Sequence, residues 1–253
     1  MKLARSTKAQ HGIQSALLLI CAIFSAVLFS SCRLSTEPKS SSPIIVFTFD
    51  DQHQSIYDVA LPLMQKYGFR GTNFVNTAKM GYPSLMDWDE VVELELIHGW
   101  ETGGHTLYHD QLNLLDLEVA QANISQDFAN LVEHGLDPQS FALPKGQCPY
   151  QLYEHVQSLY KNMRGSSDFA MYKPLNRYGL GYLAFQTGWN AKQIKARILR
   201  GVMNGEDLII IGFHRFDTVS PTDPDICTSD VFEEILQFVS EKNYRVLPLK
   251  EVF

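Results

Sequence analysis

Between residues 44 and 247 the chain alternates short β-branched, apolar runs with longer stretches of helical spacing. That alternation restricts the fold more than any other feature of the sequence. Ile44-Ile45-Val46-Phe47-Thr48-Phe49 predicts a buried strand, and Ser55 to Tyr67, apolar at Ile56, Val59, Ala60, Leu63, Met64 and Tyr67, predicts a helix stopped by Gly68. Further strands are expected at 72–76, 100–102, 140–143, 208–213 and 244–247, and further helices at 87–98, 114–134, 150–161, 191–199 and 229–242. This order implies a parallel α/β sheet, open or closed into a barrel. The sequence contains no internal repeat and no glycine-rich phosphate loop.

Four of the predicted strand ends carry residues able to do chemistry. Asp50-Asp51 closes the first strand, and His105 and His109 follow the strand at 100–102. Pro144-Lys145-Gly146 follows the strand at 140–143, and His214 ends the most apolar strand. Catalytic groups of parallel barrels gather at the carboxyl ends of strands. If residues 105–109 are helical, the two histidines project from one face and grip one ion; otherwise they are a surface or packed pair. Two histidines with one carboxylate suit a catalytic divalent metal and leave positions open for water and substrate. Neighbouring side chains of an extended segment point to opposite sides. A turn at the strand end would bring Asp50 and Asp51 into one cleft, one on a metal and the other free as a base; the alternative is that they cap the next helix. The plain reading of His214 is a strand-end histidine bonded to backbone.

The ordered set Thr48-Phe49-Asp50-Asp51, Gly104-His105-Thr106-Leu107-Tyr108-His109, Phe141-Ala142-Leu143-Pro144-Lys145-Gly146 and Ile209-Ile210-Ile211-Gly212-Phe213-His214 resembles the polysaccharide deacetylases with a NodB homology domain, carbohydrate esterase family 4. The likeness runs from about Pro43 to Phe253, and the first two motifs are its specific part. It implies a distorted (β/α) barrel with seven or eight parallel strands and a hydrolase that removes acetyl groups from an N-acetylated or O-acetylated cell-surface polysaccharide. It further implies Asp51, His105 and His109 as metal ligands, Asp50 as general base, His214 as general acid and the backbone N–H of Lys145 as an oxyanion donor. The ligand set suits zinc first, and also cobalt, iron or manganese. Peptidoglycan, poly-N-acetylglucosamine, chitin fragments and acetylated xylan all fit as substrates.

The chain departs from the family pattern in several places. Gln52 replaces the glycine that usually follows the two acids, and Lys145 stands where an aromatic residue is common. Ala142 stands where many members place an arginine that pairs with the base, a form closer to the poly-N-acetylglucosamine branch. The Asp-Trp motif between the third and last motifs is not recognisable. Arg164 and Arg177 are the cations available to replace the missing arginine, though both read more simply as surface residues. Tyr108, Tyr150, Trp189 and Phe216 lie near the motifs and either stack on sugar faces or pack in the core.

The first 31 residues carry Lys2, Arg5 and Lys8, no acid, and an apolar stretch from Ala16 to Phe29, the layout of an export signal. Leu28-Phe29-Ser30-Ser31-Cys32 resembles a bacterial lipobox, which would make Cys32 the lipid-bearing first residue of the mature protein. Plain secretion and an uncleaved signal anchor are the alternatives. The expected organisation is a leader at 1–31, a Ser/Pro-rich flexible tether at 32–42 and a deacetylase domain at 43–253. The chain would then be an exported cell-envelope lipoprotein held to the membrane through its N-terminal lipid. Without the leader, 18 basic face 28 acidic residues, so nucleic acid is not an expected partner. In an oxidising compartment Cys148 and Cys227 either form a disulfide or are unrelated thiols. Two rival functions fit the same residues: an amidohydrolase acting on a small amide, and a non-catalytic sugar-binding lipoprotein.

Overall fold

A computed structural model describes residues 42–217 and 225–253. The leader at 1–31, Cys32 and nearly all of the tether at 32–42 lie outside the described residues. Among the described residues no helix is long and apolar enough to cross a membrane.

Seven strands build the main sheet: β1 (Ile44–Asp50), β2 (Thr72–Val75), β3 (Glu101–Gly104), β4 (Ser140–Ala142), β5 (Asn162–Arg164), β6 (Leu183–Ala184) and β7 (Leu208–Phe213). They lie in the order β5-β4-β3-β2-β1-β7-β6, and every neighbouring pair is parallel. The sheet curls into an open (β/α) barrel of the NodB type. Its two edges are β5 and β6, and the chain between them runs along the free edge of β5. There Met163 N–H donates to Arg177 O (2.7 Å) and Gly165 N–H to Leu180 O (3.0 Å).

The pleat of β1 sorts its residues between two layers. Ile45, Phe47 and Phe49 face outward into the largest apolar cluster, against Ile209, Ile211 and Phe213 of β7 and residues of the covering helices. Val46 faces the interior, with Phe74, Ala142, Leu208 and Ile210. The helices are α1 (Leu61–Lys66), entered through a π-turn at Ile56–Ala60, α2 (Trp88–Leu96), α3 (Leu117–Glu133), α4 (Tyr153–Leu159), α5 (Ala191–Asn204) and α6 (Ser229–Glu241). Asp87 with Glu90, and Asn190 with Gln193, form capping boxes that fix the starts of α2 and α5. A small parallel pair, β8 (Arg215–Asp217) with β9 (Ile226–Thr228), follows β7.

The base of the barrel is polar and plugged by the C-terminal segment. Thr72 Oγ1 donates to Glu101 Oε2 (3.0 Å) and accepts from Leu249 N–H (2.8 Å), while Lys250 N–H donates to the same Glu101 oxygen (2.7 Å).

One expectation needs correction, and two alternatives left open by the sequence are resolved. Residues 244–247 form no strand: only Val246 bridges Ile45, because the following segment turns beneath the barrel. Residues 105–109 are not helical; Thr106 (φ 69°) and His109 (φ 64°) are left-handed, which breaks the helical spacing. Cys148 and Cys227 are separate thiols. Cys148 borders the cluster around α3 and α4, whereas Cys227, on β9, is buried in the cluster beneath α6, so different packing layers hold them. Burial pushes both thiols up, Cys148 to about 11.

Candidate active site

The carboxyl ends of the strands surround one cleft of about 440 Å³, and Asp50, Asp51, His105, His109, Lys145 and His214 all line it. Each residue singled out from the sequence as metal-binding or catalytic therefore reaches the same cavity.

Asp50 ends β1 on the same face as Val46 and lines the cleft. The backbone then turns left-handed at Asp51 (φ 68°), anchored by Asp51 N–H donating to Phe74 O (3.0 Å). This reversal carries the second carboxylate into the cleft, where an extended strand would have pointed it away. Asp51 Oδ1 is buried without a hydrogen-bond partner and lies 3.6 Å from both His105 Nε2 and His109 Nε2. One donor atom from each of the three residues falls within 4.8 Å of the others.

The chemistry of this set fits a divalent metal. His105 Nδ1 lies 2.8 Å from Ala142 O, a bond only an N–H can make, which leaves the Nε2 lone pair facing Asp51. Burial pushes His105 below its ordinary value, outweighing the nearby carboxylates. Burial, with His105 alongside, pushes His109 down to about 4. Both imidazoles are thus neutral at neutral pH, the form that ligates a metal. An orphaned carboxylate oxygen facing two imidazole nitrogens is a donor set that a shared divalent cation would satisfy.

Asp50 is held apart from this set. Arg164 Nη2 donates to Asp50 Oδ1, and His214 Nε2 lies 3.8 Å from Asp50 Oδ2. Burial alone would raise the carboxyl, but the Arg164 guanidinium beside it holds it below the ordinary carboxylate range. Arg164 is 1% exposed, so its reading as a surface cation is overturned. Its guanidinium lies between aromatic faces, 4.0 Å from the Tyr182 ring centre and 4.7 Å from that of Phe74. Arg177, by contrast, is exposed. Ala142 and Arg164 are register partners on β4 and β5. The cation absent from the third motif thus enters from the neighbouring strand at the same height.

Lys145 occupies a left-handed position (φ 56°) in the turn after Pro144, on the cleft wall beside Gly146 and Ser166. His214 follows β7 directly, and its Nδ1 is buried without a hydrogen-bond partner. Of the four aromatic residues near the motifs, Phe216 packs in the core against Phe49, Phe213 and Phe232, and Trp189 packs on Phe185. Tyr108 and Tyr150 are exposed. Sequence reasoning missed Tyr182 altogether. The one available signal for Arg164 was the spacing of Asn162 and Arg164, which places both on the inner face of a short strand.

Comparison with known proteins bears on the family and the fold. The sequence profile of the family described as polysaccharide deacetylase matches residues 37–163, half of the chain. The YxkH protein of Bacillus subtilis (strain 168) is 28% identical over 96 residues, which is 38% of this chain and 34% of that protein, so the match spans about a third of its length. Solved structures share the fold. The Xyl-CE4 domain of a multidomain xylanase from the hindgut metagenome of Trinervitermes trinervoides superposes with a TM-score of 0.59 at 15% identity, covering 84% of this chain and 90% of that one. A family 4 acetyl xylan esterase from Clostridium thermocellum, in complex with a cobalt ion, gives 0.58 at 17% identity, covering 83% and 90%. The peptidoglycan deacetylase PdaC from Bacillus subtilis gives 0.54 at 20% identity, covering 83% and 90%. With half its length matched by the family profile and its motif residues gathered in one cleft, the chain belongs to the polysaccharide deacetylase family.

Proposed function

We propose that the protein is a metal-dependent hydrolase that removes acetyl groups from an acetylated cell-surface polysaccharide. The observation that carries this reading is the division of labour in the cleft. Asp51, His105 and His109 offer one converging donor set, while a second carboxylate, Asp50, is tied to Arg164 and held out of it.

Asp51, His105 and His109 would hold a divalent cation, zinc first, with cobalt, iron or manganese also suited to two imidazoles and a carboxylate. Such a cation, when bound, polarises a carbonyl oxygen and makes water more acidic. Asp50, kept ionised by Arg164, accepts the proton of the attacking water as it adds to the acetyl carbon. His214, whose Nε2 lies 3.8 Å from Asp50 Oδ2, donates a proton to the departing amine or alcohol, so acetate leaves and the sugar keeps a neutral group. The Lys145 backbone N–H serves as a donor to the developing oxyanion.

Among the solved relatives are proteins described as acting on peptidoglycan and on acetylated xylan, and both polymers belong in the substrate panel. We further place the enzyme at the cell envelope, anchored through lipid on Cys32 after removal of residues 1–31. The decisive measurement is acetate release by the purified protein from peptidoglycan, poly-N-acetylglucosamine, chitin oligomers and acetylated xylan, with and without chelator. Chelator-sensitive release from one of them is expected. No release from any polymer by metal-loaded protein overturns the proposal in favour of a sugar-binding role, and release from small amides alone favours an amidohydrolase.

A further inference from the structure

The glutamine that replaces the usual glycine after the two acids is tied into the site by bonds that glycine could not make. Gln52 is fully buried and left-handed (φ 39°), directly after left-handed Asp51, in a backbone region glycine adopts without strain. Its side-chain amide lies against the backbone of Asn76 in a two-bond pair. Gln52 Nε2 donates to Asn76 O, and Asn76 N–H donates to Gln52 Oε1, each at 2.9 Å. Asn76 continues the connection, since its Nδ2 donates to His105 O (2.6 Å) and Thr106 O (3.2 Å). The loop after β1, which carries Asp51, is thereby linked through the exit of β2 to the loop after β3, which carries His105 and His109. On its far side the histidine loop is gripped by α3. Asp127 Oδ2 accepts from His105 N–H (3.1 Å), and Asn123 Oδ1 accepts from Leu107 N–H (2.8 Å).

We infer that Gln52 is a positioning residue for the metal site: its amide, relayed by Asn76, sets the spacing between Asp51 and the two histidines. The inference rests on the three-ligand reading of the site. Only a primary amide on a two-methylene stem supplies both a donor and an acceptor to the backbone of one residue at this reach. Glycine provides neither bond, and glutamate loses the donor when ionised. The left-handed strain at Gln52 persists because the surrounding bonds determine it, as is usual for strained residues at functional sites.

Zinc affinity, measured by competition with a chromophoric chelator, and the visible spectrum of the cobalt(II)-loaded protein test this on the full-length chain. Gln52→Gly and Asn76→Ala are each expected to weaken zinc binding about 10- to 100-fold, the usual effect of removing a group that orients a ligand. Each should also shift the cobalt spectrum. Gln52→Gly relieves the left-handed strain but strips two buried bonds from the Asn76 backbone, so the melting temperature of the metal-free protein should fall modestly, and zinc affinity and the cobalt spectrum are read on protein shown to be folded. Combining the two substitutions should cost little more than either alone, since both break the same relay. Gln52→Glu, which keeps the stem and the acceptor, should fall between wild type and Gln52→Gly. Wild-type zinc affinity and an unaltered cobalt spectrum in Gln52→Gly or in Asn76→Ala overturn the inference. A wild-type protein that binds neither ion overturns the three-ligand reading itself.

Discussion

Arg164 decides the protonation state of Asp50, and its effect is separable from that of the metal ligands. The guanidinium opposes the burial that would otherwise raise the Asp50 carboxyl. Arg164→Met removes the cation and keeps apolar bulk between Phe74 and Tyr182, so the Asp50 pKa rises. Because the base must be ionised to work, the acidic limb of kcat/KM moves to higher pH, and activity at pH 7 falls about 10²- to 10³-fold, within the range general-base catalysis contributes. Arg164→Lys retains charge but not the planar face stacked on the two rings, so it should be intermediate. The pH profile of acetate release checks both, and an unmoved acidic limb in Arg164→Met contradicts this role. Asp50→Asn and His214→Ala should stay folded and metal-loaded yet turn over hardly at all, whereas Asp51→Asn should lose metal as well. Metal content measured beside acetate release separates the two classes, and wild-type turnover in Asp50→Asn or His214→Ala removes the acid–base scheme.

Strands β1 and β7 carry the site through their pleat, and their sequences announce it. Both are apolar runs ending in ionisable residues, so Asp50, Asp51 and His214 could be placed at strand ends from residue type alone. β5 and β6 could not. They have three and two residues, and the inner face of β5 carries Asn162 and Arg164 where a buried strand would be expected to carry apolar side chains. The spacing of His105 and His109 suggested a helix, yet their convergence comes from left-handed turns that residue type does not specify. Gly212 shows how β7 and the segment before β6 cooperate. A Cβ added there would enter the Tyr182 ring, the same ring that lies 4.0 Å from the Arg164 guanidinium. Gly212→Ala should therefore lower stability by about 1–3 kcal/mol, as overpacking of a filled interior does. By displacing Tyr182 it should also move the acidic limb in the direction of Arg164→Met, by a smaller amount. Gly165→Ala, where an added Cβ meets nothing within 4 Å, is the matched control and should resemble wild type in both melting temperature and pH profile. A Gly212→Ala protein indistinguishable from that control would show that Tyr182 does not support the base.

For the whole domain, stability should depend on pH through buried acids that take no part in the proposed proton transfers. Glu101 lies at the base of the barrel, where Thr72 and the backbone of Lys250 join it to the C-terminal segment, and burial pushes its carboxyl from 4.5 to about 7. A folded-state pKa above the unfolded one means that the folded chain binds the proton more tightly. The stabilisation is complete below pH 4.5 and is lost as pH rises towards 7. At full size that loss is at most about 3 kcal/mol. Asp127, also buried and pushed up to about 7, adds a contribution of the same sign, so the wild-type slope is a sum of at least these two groups. Glu101→Gln removes one of them while keeping an oxygen to accept from Thr72 and Lys250. Melting temperatures of the two proteins should coincide near pH 4.5 and diverge as pH rises, with the variant the more stable at pH 8. The gap between the curves isolates Glu101, because Asp127 titrates in both. Parallel curves across this range would mean that the acid beneath the barrel is already ionised in the native protein, and that Lys250 and the bonds from Thr72 outweigh its burial.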